Sequence, residues 1–290
     1  MKTRKIEKVL TPRHFNWVGD GFYTASFIGA EIPRTRMSPF FALGYNADIE
    51  FEASDIPRGV GAHPHKGFET VTIAYKGKIE HKDSRGNHGV IGEGDAQWMT
   101  AGAGILHQEY HEEQFAKQGG MFQMVQMWVN LPAKDKETTP KYQDLLLAES
   151  TQVPIGNQGG FLQVIAGQYE EHKGKGTTFS PIDLYNAYLK EGDHATFTFS
   201  PLWNTALLVI EGAIQVNGTE RLEKDHFALF ENGKEDTFTI DSLAPNTVVL
   251  IMSGQPLDEP IAHYGPFVMN TQEELIQAFK DYEEGKFGVL

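Results

Sequence analysis

The sequence contains no cysteine, which excludes disulfides, thiolate nucleophiles and sulfur-ligated zinc. It is also short of basic residues: 25 Lys and Arg stand against 39 Asp and Glu, a formal net charge of −14. A surface so poor in cations lacks the counterion release that drives nucleic-acid binding, so no direct nucleic-acid contact is expected. No run approaches the roughly 18 apolar residues of a membrane helix. The basic start, Met1 to Lys8, lacks the apolar stretch of a signal peptide. A cytoplasmic protein without membrane contact is the expectation.

Long stretches of helical period are scarce as well. Present instead are thirty glycines and short apolar runs that close on turns. Thr70–Tyr75 precedes Lys76-Gly77-Lys78, Leu207–Ile210 precedes Glu211-Gly212, and Ile214–Val216 precedes Asn217-Gly218. This pattern predicts antiparallel hairpins in an all-β sandwich or barrel. One helix is expected near the C-terminus. Thr271-Gln-Glu-Glu274 is a capping box, Leu275, Phe279 and Tyr282 follow at i, i+4, i+7, and Gly285 supplies a C-terminal stop. The polar, proline-bounded stretch Leu131–Pro140 reads as the way out of a first domain, giving domains 1–135 and 136–290.

The two halves resemble each other. Tyr75-Lys-Gly77-Lys-Ile79 matches Ile210-Glu-Gly212-Ala-Ile214, and Gly94-Asp95 precedes a strand as Lys224-Asp225 does, which predicts an internal duplication. Aligning Gly77 with Gly212, and Asp95 with Asp225, sets Thr198, Ser200 and Asn204 opposite His63, His65 and Glu69. It sets Thr237 and Thr239 opposite His107 and Glu109.

Among eleven histidines, His63 and His65 flank Pro64, and His107 stands two residues before Glu109. On a strand, residues two apart share a face. Two such pairs on neighbouring strands deliver three imidazoles and a carboxylate to one point, a donor set suited to Fe, Mn, Ni, Cu or Zn. Glu69 has the parity of His63 and His65 and competes with Glu109 for the carboxylate role. A single inward histidine is more often a core residue than a ligand; the pairing shifts the balance here. His81, His88 and His111 lack a partner at that spacing and read as loop or surface residues.

The string His63-Pro-His65-Lys-Gly67-Phe-Glu69, followed by Gln97-Trp98-Met99-Thr-Ala-Gly102-Ala-Gly104-Ile-Leu-His107-Gln-Glu109, resembles the pirin family of the cupin superfamily. Val18-Gly-Asp-Gly21, Trp128-Val-Asn-Leu-Pro132, Val164-Ile-Ala-Gly167 and Tyr264-Gly-Pro-Phe-Val-Met-Asn-Thr271 extend the resemblance along the chain. The segment Ser38-Pro-Phe-Phe-Ala-Leu-Gly-Tyr-Asn46 departs from it, since many pirins carry aspartates there. The resemblance implies a bicupin: two cupin-type antiparallel β-barrels with a C-terminal helix, the second barrel lacking metal ligands. It implies one divalent metal, first of all Fe(II), with Cu, Ni, Mn, Co or Zn as alternatives. The implied ligands are His63, His65, His107 and Glu109, with Glu69 beside them and off the metal. The implied activity is quercetin 2,3-dioxygenase, taking a flavonol and O₂, with Glu109 as the general base. Phe68, Trp98 and Met99 are the expected walls of the substrate pocket. The alternative reading is a metal- or redox-dependent regulator of a protein partner, a transcription factor or metabolic enzyme. A metal-dependent isomerase fits less well, because these local neighbours are apolar.

Overall fold

Alternation of inward and outward side chains, interrupted by glycine turns, produces strands over most of the chain in the computed structural model, which describes residues 2–290. Two units result. The N-terminal unit comprises Arg13–Thr35, Pro39–Leu147 and Leu257–Leu290. The C-terminal unit comprises the residues up to Pro12, Arg36–Ser38 and Ala148–Pro256. The chain therefore crosses the linear division at residue 135 at both ends. Among the described residues no helix is long and apolar enough to cross a membrane.

In the N-terminal unit a seven-stranded antiparallel sheet runs in the order Lys141–Leu145, Ala96–Thr100, Phe68–Lys76, Gly120–Asn130, Phe40–Phe51, Phe22–Ile28, Asn16–Val18. A four-stranded sheet, in the order Gly59–His65, Ile105–His111, Ile79–Asp83, His88–Ile91, supplies the second wall. Leu131–Pro140 does not leave this unit, because the strand after it pairs with Ala96–Thr100. The helix Gln272–Glu283 starts at the expected capping box. Its Leu275 and Ala278 pack with Ala262, Phe267, Met269 and Phe287, so the helix covers a hairpin of the same unit. Buried Lys136 ties that segment to the barrel by donating to the carbonyls of Gly67 and Val268 and to Asn130 Oδ1.

The C-terminal unit repeats the pattern. Its seven-stranded sheet is Ile6–Leu10, Phe227–Phe230, Asn204–Glu211, Thr247–Gly254, Ile182–Leu189, Gly160–Ala166, Thr151–Ile155. Its four-stranded sheet is His194–Thr198, Thr237–Ser242, Ala213–Val216, Glu220–Glu223. Buried Arg4 fixes the N-terminal strand by donating to Thr205 Oγ1, Asn232 Oδ1 and the Trp203 and Glu231 carbonyls.

Hydrogen bonds fix how the halves correspond. Gly77 and Gly212 turn equivalent hairpins with φ of 80° and 79°, and at Gly77 a Cβ would meet the Phe122 ring at 2.8 Å. Gly94 N–H donates to the Ala74 carbonyl as Asp225 N–H does to that of Val209, and both residues have positive φ. Asp225 therefore matches Gly94, not Asp95, and the second alignment slips by one. Strand pairing carries the correction through. His63 faces His107 as Phe197 faces Phe238, and His111 faces Ile79 as Ser242 faces Ile214. The counterparts of His63, His65, His107 and Glu109 are Phe197, Phe199, Phe238 and Ile240, and not the neighbouring polar residues. All four lie in the apolar core, where Phe238 stacks on Phe197 at 5.5 Å and on Phe199 at 6.1 Å. Phe238→Ala removes the central ring of that stack and is expected to cost about 3–5 kcal/mol. The check is the urea midpoint; a loss below about 1 kcal/mol would show that the stack does not hold this core.

Candidate metal centre

Two strands bring the histidine pairs together. Gly59–His65 lies antiparallel to Ile105–His111 with His63 opposite His107, and a bulge between His107 and Glu109 re-aims the carboxylate. Ring centres are 4.3 Å apart for His63 and His107, 4.8 Å for His65 and His107, and 4.9 Å for His63 and His65. The donor atoms of these three lie within 4.8 Å of one another. A second triad within the same limit is His81, His107 and Glu109. His107 belongs to both groups, and Glu109 falls in the second, with His81 in place of His63 and His65.

His81 is not the loop residue expected from its isolation. It is buried on the strand Ile79–Asp83, directly opposite Glu109. Ile79, His81 and Asp83 share a face, an i, i+2, i+4 pattern that the sequence carries but that pairing histidines only with histidines overlooks. His111 is also buried; it donates to the Gly21 carbonyl among Phe22, Phe51 and Phe122 and is a core histidine. His88 lies at the surface with Glu80, as expected.

The protons can be placed from the hydrogen bonds. Burial, reinforced by the neighbouring imidazoles, holds His65 and His107 well below the usual histidine range, so both are neutral. Burial opposes ionisation of Asp83, but hydrogen bonds from His81, Asn87 and backbone N–H groups keep its carboxyl below its ordinary value. Ionised Asp83 can only accept, so His81 donates to it through Nε2 at 3.2 Å. With Nε2–H given to Asp83, His81 can accept at Nδ1 from His107 Nδ1–H at 3.4 Å, and Tyr142 stacks on its ring at 4.7 Å. The free lone pair of His107 is left on Nε2, an atom with no partner. His63 donates Nδ1–H to the Gly61 carbonyl, and His65 bonds to that of Pro266 while its Nδ1 is unpartnered. Three imidazoles, each with one ring nitrogen left for a metal, and a carboxylate beside His107 fit a divalent transition metal.

Glu109 is held by neutral donors that the sequence reading missed. Thr72 Oγ1 and Gln97 Nε2 donate to its Oε1 at 3.2 and 2.7 Å, and Gln126 Nε2 to its Oε2 at 2.8 Å. Beside His63 and Glu109 lies a cavity of about 80 Å³, walled by Phe22, Thr24, Asn46, Val60, Met124 and Gln126, with Val18 at its edge.

The other expected residues lie elsewhere. Thr72 and Gln97 face each other on the Glu109 side of the sheet, whereas Glu69 pairs with Thr100, one face over. The Lys66–Gly67 turn, with Gly67 at φ 84°, interrupts the strand and resets the alternation that set Glu69 beside His65. Glu69 is buried with Thr100 Oγ1 donating to it, and burial pushes its carboxyl up to about 7. Phe68 does touch His65, at 4.9 Å, and stacks on Trp128. Met99 packs with Ala101 and Ile105, and Trp98 opposes Val71 on the Glu69 face. The cavity wall contains none of Phe68, Trp98 and Met99.

Two like β-barrels, one of them carrying an imidazole–carboxylate cluster, define a bicupin. A family model described as pirin matches residues 21–129, and one described as pirin C-terminal cupin domain matches 184–288. The chain belongs to the pirin family. It is 45% identical over 285 residues to a Pseudomonas aeruginosa protein named "Putative quercetin 2,3-dioxygenase PA2418", with 98% of each chain covered. It is 36% identical to a "Pirin-like protein" of Solanum lycopersicum, over 93% of this chain and 88% of that one. A crystal structure of quercetin 2,3-dioxygenase from Acinetobacter baumannii superposes with a TM-score of 0.92 at 43% identity, covering 99% of both chains. A bacterial pirin, YhhW from Escherichia coli in complex with nickel(II), superposes at 0.63 with 20% identity, over 86% of this chain and all of that one; this likeness bears on the fold alone.

Two outcomes follow from these contacts. Because Asp83 and His81 fix the tautomer of His107, His81→Leu is expected to weaken metal affinity by about 10–100-fold. His81→Gln, whose amide can still accept from His107, should lose less; competition with a metal chelator measures both, and equal affinity in all three proteins would dismiss the relay. For Glu69 the folded-state value of about 7 lies above the ordinary 4.5. Its contribution to stability is therefore complete below about pH 4.5 and lost as pH rises through 7. Glu69→Gln, neutral throughout, should gain on the parent between pH 5 and pH 8 by up to roughly 3 kcal/mol. Denaturant midpoints at the two pH values test this; a gap independent of pH would contradict it.

Proposed function

We propose that this pirin is a quercetin 2,3-dioxygenase whose metal is held by His63, His65, His107 and Glu109. The observation that carries the reading is the clustering of His63, His65 and His107, the last of which is also grouped with Glu109, a buried carboxylate fixed by uncharged donors. Similarity to proteins bearing that activity in their names supports it. Iron(II) is the proposed metal, since imidazole and carboxylate donors suit it. When bound, a divalent metal supplies Lewis acidity and a common meeting point for the flavonol oxygen and O₂.

The residues divide the remaining work. Glu109 accepts the proton of the flavonol 3-hydroxyl. Thr72, Gln97 and Gln126 keep both carboxylate oxygens in place for that transfer. In the overall reaction both atoms of O₂ enter the ring-opened ester, one ring carbon leaves as carbon monoxide, and the proton taken by Glu109 returns to the product's new carboxyl group. The surrounding barrel limits access of bulk water to the buried His65, His107 and Glu109.

Aerobic turnover of quercetin, with metal assayed in the same preparation, tests the proposal. Wild type near one metal per chain should open the ring, and Glu109→Gln should fall by about 10²–10⁴-fold per bound metal. Parental turnover in Glu109→Gln would remove the proton-transfer role. A metal-replete wild type inert towards flavonols would remove the activity.

A further inference from the structure

On the strand Phe40–Phe51, Asn46 stands opposite Met124, and Gln126 follows two residues along the partner strand, on the same face. All three wall the cavity beside His63 and Glu109. Asn46 is fully buried, yet neither Nδ2 nor Oδ1 has a hydrogen-bond partner. Burying an unpaired amide costs about 1–3 kcal/mol, a cost that an apolar residue here would avoid. The nearby polar groups are engaged with one another: Gln126 donates to Glu109 and to Thr72, and Glu109 accepts from three side chains. Asn46 is left with an unpaired amide N–H group and an unpaired carbonyl at the wall of the cavity.

The size of the cavity limits what that is. About 80 Å³ is far less than the roughly 300 Å³ that encloses a drug-sized ligand. Only the edge of a larger molecule fits. Val18, at the cavity wall, is 49% exposed, so the cavity reaches the surface there. An amide beside a carboxylate suits a fragment with an acceptor and a donor on adjacent atoms, as in a planar hydroxy-ketone. It suits a carboxylate ligand poorly, because Asn46 Oδ1 and Glu109 would both repel it.

We propose that Asn46 selects the substrate at this centre: its Nδ2 donates to the carbonyl oxygen of a planar hydroxy-carbonyl fragment whose hydroxyl is turned towards Glu109. The cavity admits that fragment alone, and any aryl rings attached to it lie outward, past Val18. The inference rests on the metal and flavonol reading above and narrows its substrate class.

The test uses metal-loaded protein with its metal content assayed, titrated without oxygen with 3-hydroxy-2-methyl-4-pyranone, which carries the reacting ring of a flavonol without its aryl groups. Binding is followed through the metal's visible spectrum, with azide as an anion that offers no carbonyl. Asn46→Leu should bind the pyranone about 10- to 100-fold more weakly than wild type, bind azide alike, and melt no lower, since an unpaired amide has become apolar. Asn46→Asp, which keeps the shape but loses the donor, should also lose the pyranone. Equal pyranone affinity in either variant with normal metal content overturns the role of Asn46 and leaves the metal centre standing. A wild type that takes up no metal overturns the centre itself, and this inference with it.

Discussion

Imidazoles whose ring centres lie 4.3 to 4.9 Å apart cannot share a buried site as cations, and the polar architecture of the N-terminal unit answers to that constraint. Desolvation and mutual repulsion both favour the neutral rings. A neutral imidazole, however, has two tautomers, and only one of them aims a lone pair at a given point. Each ring is therefore tied down at its other nitrogen: His63 by Gly61, His65 by Pro266, and His107 by His81, itself oriented by Asp83. The Gly61 carbonyl is local to His63, whereas the Pro266 carbonyl is brought to His65 from the C-terminal hairpin. The longer relay is needed for His107 because it sits on the central strand pair, where its neighbours across the ladder are side chains of Ile79–Asp83.

The C-terminal unit shows what the same framework does without that constraint. Strand order is preserved, and so is the pairing that sets residue 197 against 238 as it sets 63 against 107. Rings still fill the interior, but they are phenylalanines, and Ile240 replaces the carboxylate. Nothing then needs a tautomer, a relay or a carboxylate clamp. The metal-binding potential lies in a few side chains grafted onto a barrel that folds equally well around apolar ones.

Features set by local chemistry were legible in the sequence. The capping box at Thr271, the hairpins at Gly77 and Gly212, and the i, i+2 histidine pairs each need only a few consecutive residues. What failed depended on events between the markers. The parity of Glu69 was lost at Gly67, whose positive φ breaks the strand. The register of the second barrel slipped because two loops differ in length and Asp225 adopts a conformation that glycine supplies at position 94. His81, Asp83, Thr72, Gln97 and Gln126 act across strands far apart in sequence, so no spacing rule marks them. The exchange of terminal segments between the units is longer in range still; it depends on partners such as Lys136 with Val268, and Arg4 with Asn232.

The choice of donors around Glu109 bears on what the centre can bind. An arginine or lysine would hold a carboxylate more strongly than two glutamines and a threonine do. In a buried site, though, a fixed cation would repel a divalent metal over a few ångströms, and the low local dielectric would magnify that repulsion. It would also satisfy the carboxylate's charge and leave it a poorer ligand and a poorer base. Amides and a hydroxyl orient Glu109 without setting a fixed cation beside it. The same reasoning applies one layer out. Asp83 is a second buried carboxylate near His107, and its hydrogen bond to His81 passes on an orienting effect while keeping the carboxylate itself one ring away.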